Sequence, residues 1–341
     1  MTAAQAFFSE PTQVTTGPSR EHDHAKGPFS HHLLSTGNLQ LAANADPTPR
    51  LEYYLQAATA ENTRKAYQAD LRHFLAWGGT VPSTPEQVAN YLATFASNLS
   101  PATLSRRIAA ITRAHTSLDI SSPTRSALVK TTLRGIRRAR GNHQRRVHPI
   151  LKDDLTQMLT LTSGIKEIRD RALLLIGFSG AFRRSELVAI DLQHISWRPD
   201  GLIIAIPKSK TDQLGAGRSI AIPYATGDLC PVTALQCWLE ISKITSGKLF
   251  RAITRSGRVL DRGITTQSVA LIVKTYARQS GLDARLYSAH SLRAGLVTSA
   301  AMAGISTWKI QQQTGHKSIE VLARYVRDAN LFQDNAAGLL L

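Results

Sequence analysis

Several short motifs in the 341-residue chain contain side chains suited to handling a phosphate: Arg183, Lys210, His290 with Arg293, His316 and Tyr325. The segment Gly180-Ala181-Phe182-Arg183-Arg184-Ser185-Glu186-Leu187 reads as a helix start, with Glu186 one turn from Arg183 and able to pair with it. In Tyr287-Ser288-Ala289-His290-Ser291-Leu292-Arg293, His290 and Arg293 are three residues apart and share one face of a helix that Ser288 can cap. A proton carrier and a fixed cation then stand beside free backbone amides, which favour an anion such as phosphate. Thr314-Gly315-His316-Lys317 reads as a turn, after which Ser318 can cap a short helix carrying Val321, Leu322 and Tyr325. Each motif alone has a plainer reading: an arginine paired with a glutamate, a surface histidine on a capped helix, a core tyrosine with its hydroxyl bonded. Order and spacing of the whole set carry the signal.

A phosphodiester is a poor electrophile because its charged oxygens repel attackers, so a protein that cleaves it must neutralise the negative charge that develops at phosphorus. Guanidinium groups suit that task, since they stay charged and offer two parallel donors to phosphate oxygens. A tyrosine attacking phosphorus has an unperturbed pKa near ~10 and must lose its proton as it attacks, for which nearby cations and His290 are the available means.

The ordered series Arg, Lys, His-x-x-Arg, Gly-His and Tyr resembles the tyrosine recombinase, or phage integrase, family over residues 50–341, most closely its Cre-like branch from His290 through Leu341. The resemblance implies a site-specific DNA recombinase that cuts one strand at a time through a 3′-phosphotyrosine ester, with no cofactor, metal or ATP. It implies that Arg183 and Arg293 clamp the phosphate, Glu186 orients Arg183, His290 is the general acid/base and Tyr325 the nucleophile. His316 matches the second hydrogen-bond donor to the phosphate, where some members use Trp. Ile206-Pro207-Lys208-Ser209-Lys210-Thr211 offers two candidates for the lysine that protonates the leaving 5′ oxygen. Lys210 is preferred for its Lys-Thr context, leaving Lys208 to touch the DNA backbone. The implied partners are double-stranded DNA with inverted-repeat binding arms and further copies of the chain, as a homotetramer on paired DNA sites. In that assembly Leu339, Leu340 and Leu341 fill a pocket of the adjacent subunit. Alternative readings are a type IB topoisomerase, a non-catalytic DNA-binding regulator, and a metal-dependent transposase or nuclease, for which no spaced carboxylate cluster stands out.

The elements that must position these residues follow from charge and periodicity. Lys plus Arg number 41 against 24 Asp plus Glu, a formal charge of +17 that favours a polyanionic partner. Between Ser100 and Ile150 the basic residues are Arg106, Arg107, Arg113, Arg125, Lys130, Arg134, Arg137, Arg138, Arg140, Arg145 and Arg146, opposed only by Asp119. A solvated surface interleaves both signs, so this segment is read as contacting phosphates, and of its residues all but Arg125 and Lys130 are taken as DNA-binding. Residues 1–48 lack periodicity and read as a disordered tail, in which four histidines are assigned no metal. Residues 49–140 read as a helical DNA-binding domain, 141–149 as a basic linker and 150–341 as the catalytic domain. The fold class is mainly α, a helical bundle followed by a mixed α+β domain with a small antiparallel sheet.

Tyr67, Leu71, Phe74 and Trp77 return to one helical face, as do Val88, Tyr91, Leu92 and Phe95, and then Leu104, Ile108 and Ile111. Thr84 with Pro85 and Gln87, and Ser100 with Pro101, mark two helix starts. Residues 151–176 read as one helix, interrupted only at Ser179 and Gly180. Leu202 to Ile206 and Ser219 to Pro223 read as a hairpin, with helices resuming after Pro231. The apolar stretch from Ala172 to Phe178 is far too short to span a bilayer, and no secretion signal is evident, so a cytoplasmic location is expected. Cys230 and Cys237 are read as inert, partly buried thiols.

Overall fold

The computed structural model describes residues 58–141, 147–160, 164–207, 217–316, 318–320, 322–323 and 325. The chain folds as two compact units that divide between Gln144 and Arg145. The expected tail, the basic pair Arg145 and Arg146, both hairpin lysines and the terminal leucines lie outside the described residues.

The described part of the first unit is helical: α1 (Glu61–Ala76), α2 (Pro85–Phe95), α3 (Pro101–Thr116) and α4 (Ala127–Arg140), with a 3-10 turn at Pro123–Arg125. Its core gathers Leu71, Phe74, Val88, Tyr91, Leu92, Leu104, Ile111, Val129 and Ile136. Thr84 caps α2 by accepting from the Gln87 backbone, and Ser100 caps α3 by accepting from Thr103. Gln87 does not complete a capping box; its side-chain oxygen accepts from Thr80 instead.

Arg107 corrects the sequence reading, because it is only 8% exposed and points into the bundle. Its guanidinium lies beside Asp70, bonds the Tyr91 hydroxyl at 2.8 Å and His73 at 2.7 Å, and sits 5.9 Å over the Tyr91 and Phe95 rings. It is therefore part of the core rather than of a phosphate-facing surface. Arg106 is exposed but held by two bonds to Asp70, at 2.6 and 2.9 Å. Arg113, Arg134, Arg137, Arg138 and Arg140 are exposed. Of these, Arg137 donates to the Ser105 hydroxyl and Arg140 to the carbonyls of Ala96 and Ser97.

In the second unit the run 151–176 is two helices, α5 (Lys152–Met158) and α6 (Ile165–Ser179). Gly164, at φ +94, starts the second in a conformation that side chains disfavour, and this breaks the ladder that periodicity alone would continue. Then come α7 (Arg184–Ala189), a 3-10 turn, β1 (Ile195–Arg198), β2 (Gly201–Ile206), β3 (Arg218–Pro223), α8 (Pro231–Ser242), β4 (Arg251–Ile253), β5 (Val259–Gly263), α9 (Thr266–Gln279), α10 (His290–Met302) and α11 (Thr307–Thr314). The sheet β1-β2-β3 is antiparallel throughout, with Ile204 opposite Ile220 and Ile206 opposite Arg218. Strands β1, β4 and β5 did not show in the sequence pattern. Cys230 is buried and caps α8, whereas Cys237 is exposed.

Helices α6, α8, α9 and α10 enclose the core with the inner face of the sheet. Residues that lead into α5 lie tightly against α10: the Ile150 amide donates to the Ser291 carbonyl, and a Cβ on Gly295 would meet the Ile150 carbonyl oxygen at 1.8 Å. Only glycine permits that approach, which fixes the first turns of α10 in place. No described helix is long and apolar enough to cross a membrane.

Candidate active site

Arg183 is the N-cap residue of α7, where its extended backbone turns out of the Gly180-Ala181-Phe182 bend. Its guanidinium donates to Glu186 Oε1 at 2.7 Å, its backbone amide to Oε2 at 3.0 Å, and its other terminal nitrogen reaches the Gly315 carbonyl at 3.4 Å. Glu186 is buried and holds a second arginine, because Arg218 on β3 donates to Oε2 at 3.1 Å. Arg218 also donates to the Gln313 carbonyl at 2.9 Å, while its Nε is buried with no hydrogen-bond partner among the described residues. One carboxylate thus ties the start of α7 and the head of β3, and Arg218 extends that tie to the end of α11.

Arg293, on the first turns of α10, is 2% exposed. It donates to the Ala181 carbonyl at 2.7 Å and contacts His316 Nε2 at 3.0 Å. Ala181 presents that carbonyl from a left-handed conformation at φ +46. Gly315 closes α11 at φ +64, and a Cβ there would press on the Arg218 guanidinium at 3.1 Å, so glycine permits both the turn and the close packing. His316 follows at once, with its Nδ1 2.7 Å from the Thr314 hydroxyl and its carbonyl accepting from Gln311.

His290 opens α10, its amide donating to the hydroxyl of Ser288, two residues before it. Its Nε2 lies 3.3 Å from the Tyr325 hydroxyl. Tyr325 is on a short helical stretch whose Ser318 accepts from the Glu320 amide, and its ring packs against Val297, Ala301, Ile310 and Leu322. The structure therefore brings together Arg183, Glu186, His290, Arg293, His316 and Tyr325 from motifs up to 142 positions apart. Lys208 and Lys210 fall outside the described residues, on the connection that leaves β2 at Ile206 and returns at Arg218.

Three arginines and two histidines converge here around a single carboxylate. Burial, followed by the charge of Arg183, lowers the Arg293 pKa to about 10. Burial, then Arg293 and Arg183, lowers His316 to about 3. The protein packed around the His290 ring, with help from Arg293 and Arg183, pushes its pKa below the usual imidazole value, so it is neutral at pH 7. Burial also pushes Arg218 down. Burial is the largest cause of each of these shifts and neighbouring arginine charge adds to it, so the site crowds partly desolvated cationic groups around one carboxylate, an environment that an added anion would relieve.

Sequence reasoning missed Arg218 and Thr314. Arg218 carried a usable signal: it is in phase with Ile220 and Ile222, the inward residues of β3, and an arginine on a buried face requires a partner. Thr314 stood inside a motif already singled out, but its contact with His316 depends on how the turn folds.

Residues 149–331 match the family model described as the phage integrase family. The chain is 39% identical over 310 residues to an integrase/recombinase xerD homolog of Selenomonas ruminantium, covering 88% of this chain and 91% of that one. It is 24% identical over 298 residues to the recombinase cre of Escherichia phage P1, covering 80% and 85%. The fold is similar to that of the XerH site-specific recombinase bound to a palindromic difH substrate, with a TM-score of 0.60, 16% identity, and 81% and 79% of the two chains covered.

Proposed function

Since the chain belongs to the phage integrase family and is a tyrosine recombinase, an enzyme that transfers DNA strands in site-specific recombination, we propose that Tyr325 is its nucleophile and that Arg183, Arg293 and His316 hold the scissile phosphate. The observation that carries this reading is the 3.3 Å approach of the Tyr325 hydroxyl to His290 beside two arginines tied to fixed partners.

Neutral His290 takes the Tyr325 proton as the phenolic oxygen attacks phosphorus. Arg183 and Arg293 neutralise the charge that develops on the phosphate oxygens, and their rigid mounting means little reorganisation is needed as it forms. The bond from phosphorus to the 5′ oxygen breaks, Lys210 supplies the proton that oxygen needs, and a 3′-phosphotyrosine ester remains. Attack by the 5′ hydroxyl of a partner strand reverses these steps and returns the proton to Tyr325. The phosphoester bond energy is conserved, so the cycle needs neither ATP nor a metal.

Double-stranded DNA is the partner. The exposed arginines of α3 and α4 supply phosphate contacts from the first unit, and the second unit carries the chemistry. Tetramer formation on inverted-repeat sites has support in surface chemistry. An open apolar cavity of about 440 Å³ is lined by Leu155, Phe178, Leu296, Ala300, Ile305 and Ile310 among others. Met302, Ile305 and Trp308 are exposed at the α10–α11 corner. Such a surface suits the three terminal leucines of a neighbouring copy. Topoisomerase and regulator readings are disfavoured by a recombinase relative that matches along nearly the whole chain.

The test is covalent trapping. Full-length protein incubated with its native replicon should yield DNA fragments joined to Tyr325, found by peptide mapping of the nuclease-trimmed adduct. Adduct at any other residue, or normal cleavage by Tyr325→Phe, overturns the assignment.

A further inference from the structure

Thr314 is completely buried, and its hydroxyl lies 2.7 Å from the Ile310 carbonyl and 2.7 Å from His316 Nδ1. A hydroxyl has one proton and a carbonyl can only accept, so the proton goes to Ile310 and the oxygen accepts from Nδ1–H. On the far side of the ring, Nε2 lies 3.0 Å from an Arg293 nitrogen that can only donate. Both contacts demand one tautomer, with the proton on Nδ1 and the lone pair on Nε2. In that form a neutral His316 cannot donate to a phosphate from Nε2. The alternative form needs a donor facing Nδ1, and the Thr314 hydroxyl becomes one by rotating. Rotation strands no group of α11, because the Ile310 carbonyl lies within the i to i−4 ladder of that helix, and the Arg293 nitrogen that gives up Nε2 as its acceptor turns to the same phosphate. Valine or leucine at this position could offer neither role.

We propose that Thr314 is a positioning residue that sets the tautomer of His316. Its hydroxyl accepts from Nδ1 when Nε2 faces Arg293, and donates to Nδ1 when Nε2–H faces the scissile phosphate. The proposal rests on the reading of His316 as a phosphate donor.

Two measurements test it separately. The first is ¹⁵N NMR of full-length protein labelled at histidine, with His316 assigned by its loss in His316→Gln. Wild-type and Thr314→Ser should show Nδ1 protonated, and Thr314→Val should shift His316 toward the Nε2-protonated form. A valine variant with the wild-type tautomer overturns the role of the threonine. The second is the rate of covalent adduct formation on a nicked duplex carrying the cleavage site recovered by trapping. At metal-bound histidines, loss of the group that orients the imidazole costs about 10- to 100-fold, and Thr314→Val should lower the rate by a factor of the same order. Thr314→Ser should stay within about threefold of wild type, well inside that loss. In a His316→Gln background Thr314→Val should cause no further loss. An undiminished valine effect in that background would mean that Thr314 acts through packing, which overturns the proposal. If valine prevents folding, Thr314→Ala against Thr314→Ser separates the hydroxyl from bulk, and equal rates for the two overturn it as well. Full-rate cleavage by His316→Gln overturns the phosphate-donor reading and the proposal together, whereas the tautomer result fails or stands without DNA.

Discussion

Arg107 in the first unit and Arg293 in the second are both almost fully buried, and both touch a histidine. Arg107 has a carboxylate beside it, a phenol to bond and two aromatic faces against its plane. Arg293 has a carbonyl and an imidazole, and among the described residues no carboxylate within ion-pair distance. Removing one partner of a buried, paired charge destabilises a fold, whereas a buried charge that lacks a counter-ion is relieved when an anion comes beside it. Residue type and burial do not separate the two cases; the partners do.

That contrast can be broken most sharply at Tyr325, the nucleophile proposed for the second site. Tyr325→Phe should give no covalent adduct while retaining DNA binding, measured by gel shift and adduct assay on the same duplex. Arg293→Gln comes next: loss of one preorganised donor to a charged transition state costs about 10²- to 10³-fold, so adduct formation should fall by that factor with the protein folded. Thermal melting that drops steeply instead would move Arg293 into the structural class of Arg107.

Arg107→Gln should show the reverse. Removing one partner of a buried pair costs about 3–5 kcal/mol, and because Asp70 keeps its two bonds from Arg106 the loss belongs near the lower end of that range. Urea titration measures it, and the rate of adduct formation per folded molecule should be unchanged.

A pH experiment sharpens the comparison further. His316 is held near pKa 3 in the folded chain and returns to about 6.5 when unfolded, so between those values the unfolded chain binds a proton that the folded chain does not. Stability should therefore fall as pH drops below about 6.5, and His316→Gln should weaken that dependence. An anion beside Arg293 and His316 raises both pKa values, so sulfate should raise the melting temperature more at pH 5.5 than at pH 7.5. Equal shifts at both pH values would count against anion binding at this site. The smallest effect is at the surface of the first unit. Each phosphate contact contributes about 0.9 to the slope of log affinity against log salt, so Arg138→Gln should flatten it by that amount and Arg107→Gln should not.

Much of this was legible in the sequence where the information is local. The caps at Thr84 and Ser100 and the stripe through Leu71 and Phe74 depend on neighbours within one or two turns, and the pattern encodes them directly. Arg107 was misplaced although it falls three residues after Leu104 and four before Ile111, on the buried stripe. Its charge argued for the surface, and only Asp70, Tyr91 and His73 from two other helices make burial tolerable. The break before α6 and the three short strands escaped because so few residues carry no period.

Arg218 and Thr314 apart, the residues proposed for the site and their order along the chain were legible in the sequence alone, since chemistry at a phosphate restricts which side chains can serve. What tertiary structure decided was who holds them. Glu186 gripping Arg218 as well as its near neighbour Arg183, Ala181 receiving Arg293 and the end of α11 carrying His316 to it are, that local pair apart, contacts across 23 to 112 positions. A hydrogen bond is made or lost within a few tenths of an ångström, and that precision comes from the packing of α7, β3, α10 and α11 against one core, which no stretch of a single helix can specify.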